Sequence, residues 1–211
     1  MSAAARRKLA AADPTMGALI ERIGKIDIET RLRRRSEERP ADAYGALLRA
    51  IVGQQLSTKA ARTIYGRVLD LFDGRTPTPE ELLAAEEGGL RAAGLSGRKV
   101  EYVRDLAAHV IGGELELDRF EELPDEEVIA EIVAVRGLGV WTAEMFLLFH
   151  LERPDVLSGG DLGIRKAVQI EYGLGEMPAP AEVVEIGEPW RPHRSLASLY
   201  LWESLASAPL D

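Results

Sequence analysis

The chain contains no cysteine among its 211 residues. That excludes disulfides, thiolate zinc sites, cysteine-ligated iron–sulfur clusters and cysteine nucleophiles together. It also lacks any apolar run approaching the roughly 18 residues that a membrane span needs. Residues 1–17 (MSAAARRKLAAADPTMG) hold no apolar block long enough for a signal peptide. No membrane partner is therefore expected, and the cytoplasm is the expected address. Histidine is scarce, and His109, His150 and His193 stand too far apart for a local metal motif. Neither a G-x-S-x-G nucleophile elbow nor a P-loop occurs. Positive charge is short as well: 26 Lys+Arg against 35 Asp+Glu leave a net charge of −9, which argues against nucleic-acid binding through a broad basic surface. Nucleic acid itself stays open, because backbone amides and helix N-termini also grip phosphates.

What is present is ordinary globular material, 46% hydrophobic and 29% charged, long enough for one large or two small domains. Helical spacing dominates. Tyr44, Leu47, Leu48 and Ile51 recur at i, i+3, i+4 and i+7, as do Ile64, Val68 and Leu71 with Phe72, so both sets are expected to be buried helix faces. Pro124 suits a first helical position, followed by Asp125, Glu126 and Glu127, which complement the helix dipole, and by a Val128, Ile132, Val135 stripe that stops at Gly137. Further helices are expected from Val140 to about His150 and from about Ser195, where Leu196, Leu199 and Tyr200 share a face. Alternating extended runs are almost absent and no internal repeat is visible, which makes the chain all-α. The Arg31 to Arg39 stretch (RLRRRSEER) is the strongest local charge cluster, readable as a solvated helix face or a phosphate-binding patch.

Two loops carry more information than the helices around them. Gly137-Leu138-Gly139-Val140-Trp141-Thr142 begins like a dinucleotide fingerprint, but its last glycine is missing and a helix precedes it. What remains is a helix–turn–helix connection. Two glycines one residue apart bend the backbone and leave the amides of the second helix uncovered, which would make a phosphate site. Downstream, Leu157-Ser158-Gly159-Gly160-Asp161-Leu162-Gly163 delivers one carboxylate at the start of a helix. Taken alone, Asp161 reads more plainly as a helix cap than as a functional group.

In order along the chain, the segments Ile51 to Ser57 (IVGQQLS), Gly94 to Glu101 (GLSGRKVE), Val135 to Ala143 (VRGLGVWTA), Asp155 to Arg165 (DVLSGGDLGIR) and Trp190 through Trp202 resemble the helix–hairpin–helix DNA glycosylases, specifically the DNA-3-methyladenine glycosylase II branch. The resemblance covers roughly residues 44 to 205. It implies two helical domains flanking a DNA-binding cleft. One would be a central domain of residues 37–149 ending in the helix–hairpin–helix, and the other residues 1–36 plus 150–211. Some relatives carry a further N-terminal β-rich domain, which this chain is expected to lack.

By the same resemblance, Asp161 is the catalytic aspartate and Trp141 and Trp202 line the substrate pocket. Met145 and Leu162 would stand there in place of two tyrosines. Aromatic faces attract a cationic base through the ring quadrupole. Gly137, Gly139 and Val140 would grip a backbone phosphate, and Gln54, Gln55 or Leu95 would fill the gap left by a flipped base. Arg194 would meet a phosphate or the Asp161 loop, or form a structural salt bridge. Relatives that also cut the strand carry a lysine where this chain has Trp141, so a monofunctional enzyme leaving an abasic site is implied. No cofactor is required. A structural monovalent cation, Na+ or K+, is implied on the backbone carbonyls of Val133, Val135 and Gly137. The expected partner is double-stranded DNA containing alkylated bases, bound by a monomer. The competing reading is a non-catalytic module for damaged or branched DNA, which would need the hairpin but not Asp161. A third, a glycosylase for adenine or oxidised guanine, is disfavoured by Trp141.

Overall fold

The structure, a computed structural model, describes residues 3–26 and 42–206. The Arg31 to Arg39 cluster lies outside them. Among the described residues there are twelve α-helices, two short 3-10 turns and no strand, so the chain is all-α. It divides into two compact units, Met1–Leu32 with Leu147–Asp211 and Arg33–Phe146.

The second unit contains α3 (Ala43–Gly53), α4 (Thr58–Asp70), α5 (Pro79–Ala84), α6 (Glu87–Ala93), α7 (Gly97–Gly112), α8 (Asp125–Ala134) and the start of α9 (Val140–Phe149). Helix α7 is its spine, packing against α3, α5 and α6. Tyr44, Leu47, Leu48 and Ile51 of α3 are all buried, as their spacing predicts. The α4 stripe is shorter than expected. That helix ends at Asp70, so Leu71 is its exposed cap, and Tyr65 joins Val68 in the buried face. Pro124 takes the N-cap rather than the first helical position of α8, and the acidic first turn follows it. Val128, Ile132 and Val135 are fully buried.

The first unit is assembled from both chain ends: α1 (Ala3–Ala12), α2 (Pro14–Ile23), α10 (Leu162–Glu171), α11 (Pro180–Ile186) and α12 (Arg194–Ala206). Every residue of α12 from Ser195 to Leu201 is buried. A helix apolar or small on all sides has to be enclosed, and α2 and α10 both pack on it. The N-terminal helices are locked in by one buried carboxylate. Asp13 caps α2 by accepting from the amides of Thr15 and Met16 at 2.9 and 3.0 Å. Its other oxygen accepts from the Tyr172 hydroxyl at 2.5 Å and the Trp190 indole at 2.8 Å. Burial by itself would raise the Asp13 pKa, but these hydrogen bonds from Tyr172, Trp190, Met16 and Thr15 outweigh it and hold the carboxyl below its ordinary value.

Asp13→Ala removes a cap and leaves an indole and a phenol without their acceptor, so it should lower stability by about 2–4 kcal/mol at neutral pH. Because the folded pKa lies below the unfolded one, this contribution is present above the unfolded value of about 4 and lost as pH falls through the folded value. Urea midpoints of parent and variant should therefore differ most near pH 7 and converge in acid.

Candidate DNA-contacting and catalytic site

In the second unit the hairpin between α8 and α9 is a four-residue turn. Leu138 N–H donates to the Val135 carbonyl at 3.1 Å, and Gly137, third of the four, has φ +85°. That turn type demands a positive φ at its third position, which is why glycine stands there. A second reason is steric. A Cβ on Gly137 would sit 2.2 Å from Cδ2 of Tyr102, whose ring on α7 covers the turn. Around Gly139, in contrast, nothing approaches within 4 Å of the Cβ position. The expectation that both glycines clear the way for a phosphate is corrected accordingly. Gly137 accommodates Tyr102, and only Gly139 faces open space, beside the first turn of α9, where the Thr142 and Ala143 amides both donate to the Gly139 carbonyl at 2.9 and 3.1 Å. Val140 and Trp141 in that turn are 52% and 53% exposed.

The GQQ segment is wired to this hairpin within the same unit. The Gln54 amide donates to the Gly137 carbonyl at 2.6 Å. Lys99, on the first turn of α7, donates its ammonium to the carbonyls of Val52 and Gln54 at 2.7 and 2.9 Å. Lys99 thereby satisfies the C-terminal end of α3, and burial pushes its pKa below the ordinary lysine value. The Arg136 amide donates to Asp105 at 2.8 Å, holding the turn from its other side.

These contacts sort the three residues proposed for the gap left by a flipped base. Gln54 is engaged with the hairpin. Leu95 is 4% exposed and belongs to the core, so the structure removes it from that role. Gln55 is exposed and held at φ +58°, in the left-handed region uncommon for a non-glycine residue. Of the carbonyls implied for a monovalent cation, the Gly137 oxygen takes the Gln54 amide and the Val135 oxygen takes Leu138 N–H, each bond using one of the two lone pairs of a carbonyl.

In the first unit, Asp161 is the N-cap of α10, its Oδ1 accepting from the Ile164 amide at 2.8 Å. The same oxygen accepts the Trp202 indole N–H at 2.9 Å. The cap reading is thus met, and the same oxygen is held by a second donor from α12. Trp202 stacks on Phe149 with ring centroids 5.7 Å apart and planes 24° apart. The indole also fixes the Asp161 carboxylate, a contact that the sequence reading did not include. Leu162, beside Asp161, is 65% exposed, whereas Met145, in the second unit, is half-buried.

The loop leading to Asp161 is laced to the start of α12. Ser195 Oγ donates to the Arg153 carbonyl at 2.6 Å and accepts from Val156 N–H at 2.9 Å. Ser198 Oγ lies 3.4 Å from the Val156 carbonyl. Arg194 is bound to Asp155 through Nε at 2.9 Å and to the Asp155 carbonyl at 2.7 Å, while Arg191 holds the other Asp155 oxygen at 2.7 Å. Arg194 is therefore a structural brace of the loop, and of the alternatives expected for it the structure shows the salt bridge into the Asp161 loop. Ser195, Ser198 and Trp202 lie on one face of α12 at steps of three and four, so a single helix supports both the loop and its carboxylate.

Comparison with known proteins agrees with this geometry. The family model described as HhH-GPD superfamily base excision DNA repair protein matches residues 48–192. DNA-3-methyladenine glycosylase 1 of Schizosaccharomyces pombe is 35% identical over 165 residues, which is 77% of this chain and 72% of that protein. DNA-3-methyladenine glycosylase 2 of Escherichia coli is 29% identical over 170 residues, 76% of this chain and 57% of the relative. Among solved structures, the S. pombe 3-methyladenine DNA glycosylase in complex with abasic DNA superposes with a TM-score of 0.80 at 31% identity, covering 98% of each chain. A DNA-3-methyladenine glycosidase from Bacillus halodurans gives 0.82 at 36% identity, covering 95% of this chain and 88% of that one.

The two hairpin glycines should separate in experiment. Gly139→Ala should fold normally and weaken binding to any duplex about 10-fold by crowding the phosphate approach. Gly137→Ala should instead lower the melting temperature, through the Tyr102 clash and the positive φ, with a cost of about 2 kcal/mol or more. Equal stabilities for the two variants would contradict the assignment of Tyr102 to Gly137. A glycine-turned hairpin, a buttressed aspartate loop and a family match over most of the chain lead to one conclusion: the chain belongs to the HhH-GPD superfamily of base excision DNA repair proteins.

Proposed function

We propose that the protein is a monofunctional DNA glycosylase that flips alkylated purines of the 3-methyladenine class out of duplex DNA and hydrolyses their N-glycosidic bond, leaving an abasic site. The observation that carries this reading is the placement of Asp161. A module that only binds damaged or branched DNA needs the hairpin and could use Asp161 as the cap of α10, but has no use for a carboxylate whose orientation is fixed by a second donor, the Trp202 indole. The relatives named for 3-methyladenine excision support the substrate class.

A stacked base is out of reach, so the nucleotide has to leave the helix and the vacancy has to be braced. Gln55, exposed on its left-handed turn, is the side chain for that vacancy. The open space at Gly139, at the positive end of the α9 dipole, takes a backbone phosphate. An N-alkylated purine is already cationic, so the base departs with the bonding electron pair and needs no proton. Positive charge then grows on the sugar. The Asp161 carboxylate stabilises that oxocarbenium character and orients the water whose oxygen bonds to C1′, the water's proton passing to the carboxylate and from it to solvent. Excision should thus favour cationic alkylated purines over neutral bases such as hypoxanthine, for which no residue is assigned as proton donor. The reaction uses no cofactor.

Asp161→Asn is the decisive variant, because an asparagine oxygen can still accept from Ile164 and Trp202 while the charge is gone. It should lose nearly all release of 3-methyladenine from methylated DNA, by about 100-fold or more, and keep its affinity for an abasic-site duplex. Excision at the parental rate would refute the assignment. A separate measurement addresses strand cutting: with Trp141 at the hairpin position where a lysine would attack the sugar, borohydride should trap no covalent protein–DNA adduct. An efficient adduct with the unaltered protein would show a bifunctional enzyme.

A further inference from the structure

Glycine at position 163 is out of place by local criteria. It is the second residue of α10, where glycine is disfavoured against alanine, and its φ is not in the region that requires glycine. The reason lies across the first unit on α12. A Cβ at this position would stand 3.1 Å from Asp161 Oδ1, 3.1 Å from Trp202 Cδ1 and 3.1 Å from Trp202 Nε1. Two of those atoms are the donor and acceptor of the 2.9 Å indole-to-carboxylate hydrogen bond, and the third is the ring carbon beside the donor. The missing side chain is therefore a notch into which the indole edge descends.

Neither partner has easy room to yield. The indole is stacked on Phe149, and Asp161 Oδ1 is tied to the Ile164 amide of the same helical turn. A methyl group inserted at 3.1 Å from all three atoms compresses contacts whose optimum is about 3.5–4.0 Å. The least costly relief is for the indole edge to tilt away, which lengthens the Trp202 to Asp161 hydrogen bond.

We propose that Gly163 is a positioning residue for base excision, and that its lack of a side chain is what lets Trp202 hold Asp161 in its reactive orientation. This rests on the reading of Asp161 as the catalytic carboxylate. Gly163 touches neither DNA nor the base in this role. It acts through the indole, so its effect has to disappear when the indole is absent.

The test is a cycle of four full-length proteins: the parent, Gly163→Ala, Trp202→Leu and the double variant. Leucine removes the indole N–H and leaves a flexible chain that can move aside. With saturating methylated duplex, Gly163→Ala should slow single-turnover excision about 10-fold, as a small displacement of a catalytic group does, without changing DNA affinity. In the Trp202→Leu background the same alanine should cost less than about 2-fold, because its partner is gone. Losses that simply multiply, or a parental rate for Gly163→Ala, would overturn the proposal. A readout independent of activity is the indole N–H resonance of Trp202, one of three in the chain, assigned by its disappearance in Trp202→Leu. It should move upfield in Gly163→Ala as the hydrogen bond lengthens, and an unmoved resonance would refute the geometry. If the parent excises nothing from methylated DNA, the glycosylase reading fails, and this resonance still decides the placement. If Gly163→Ala unfolds, recovery of folding in the double variant supports the clash, and two unfolded proteins contradict it.

Discussion

One carboxylate oxygen, Asp161 Oδ1, receives two N–H donors, one from the backbone of the helix that it caps and one from the indole of a helix far along the chain. That double acceptance is the constraint on which the site depends. A cap alone is satisfied by an aspartate in any of several orientations and is worth about 1 kcal/mol. An indole donor at 2.9 Å, itself stacked on Phe149, selects one of them. The supporting contacts all converge on this arrangement. Ser195 and Arg194 fasten the incoming loop to the beginning of α12, and Trp202 reaches the carboxylate two turns later. Because α12 is enclosed along most of its length, it is a rigid base for both tasks.

The hairpin obeys a parallel logic in the other unit. Its turn is held by Tyr102 over Gly137, by the Gln54 amide on the Gly137 carbonyl and by Asp105 on the Arg136 amide. Gln54 is in turn fixed at the end of α3, where Lys99 takes two terminal carbonyls. The hairpin and the GQQ turn are consequently one piece. Gln55 projects from that piece while its neighbour anchors it, which explains why two adjacent glutamines have different exposures.

An acidic chain that grips DNA looks inconsistent until its cations are followed. Lys99 is spent on helix carbonyls, and Arg194 and Arg191 on Asp155. The basic residues within the motifs mostly hold the protein together. A phosphate grip by backbone amides costs no net positive charge, since partial charges at a helix start are supplied by the peptide dipoles.

Much of this was legible in the sequence because it depends on local rules. Apolar residues at i, i+3, i+4 and i+7 marked α3, the acidic turn after Pro124 marked α8, and a glycine pair after a helix marked the hairpin, since periodicity, caps and positive φ act within a few residues. The order of the motifs was enough to suggest the family and to single out Asp161. What tertiary structure alone decided were partners distant in sequence. Leu95 is core rather than wedge, Arg194 is a brace of the Asp161 loop, Gly137 makes room for Tyr102 thirty-five positions earlier, and Trp202 orients Asp161 across forty-one. No local pattern encodes those pairs. They arise because a folded chain brings remote side chains within hydrogen-bond and van der Waals range, and at such short range a few tenths of an ångström determine which residue touches which.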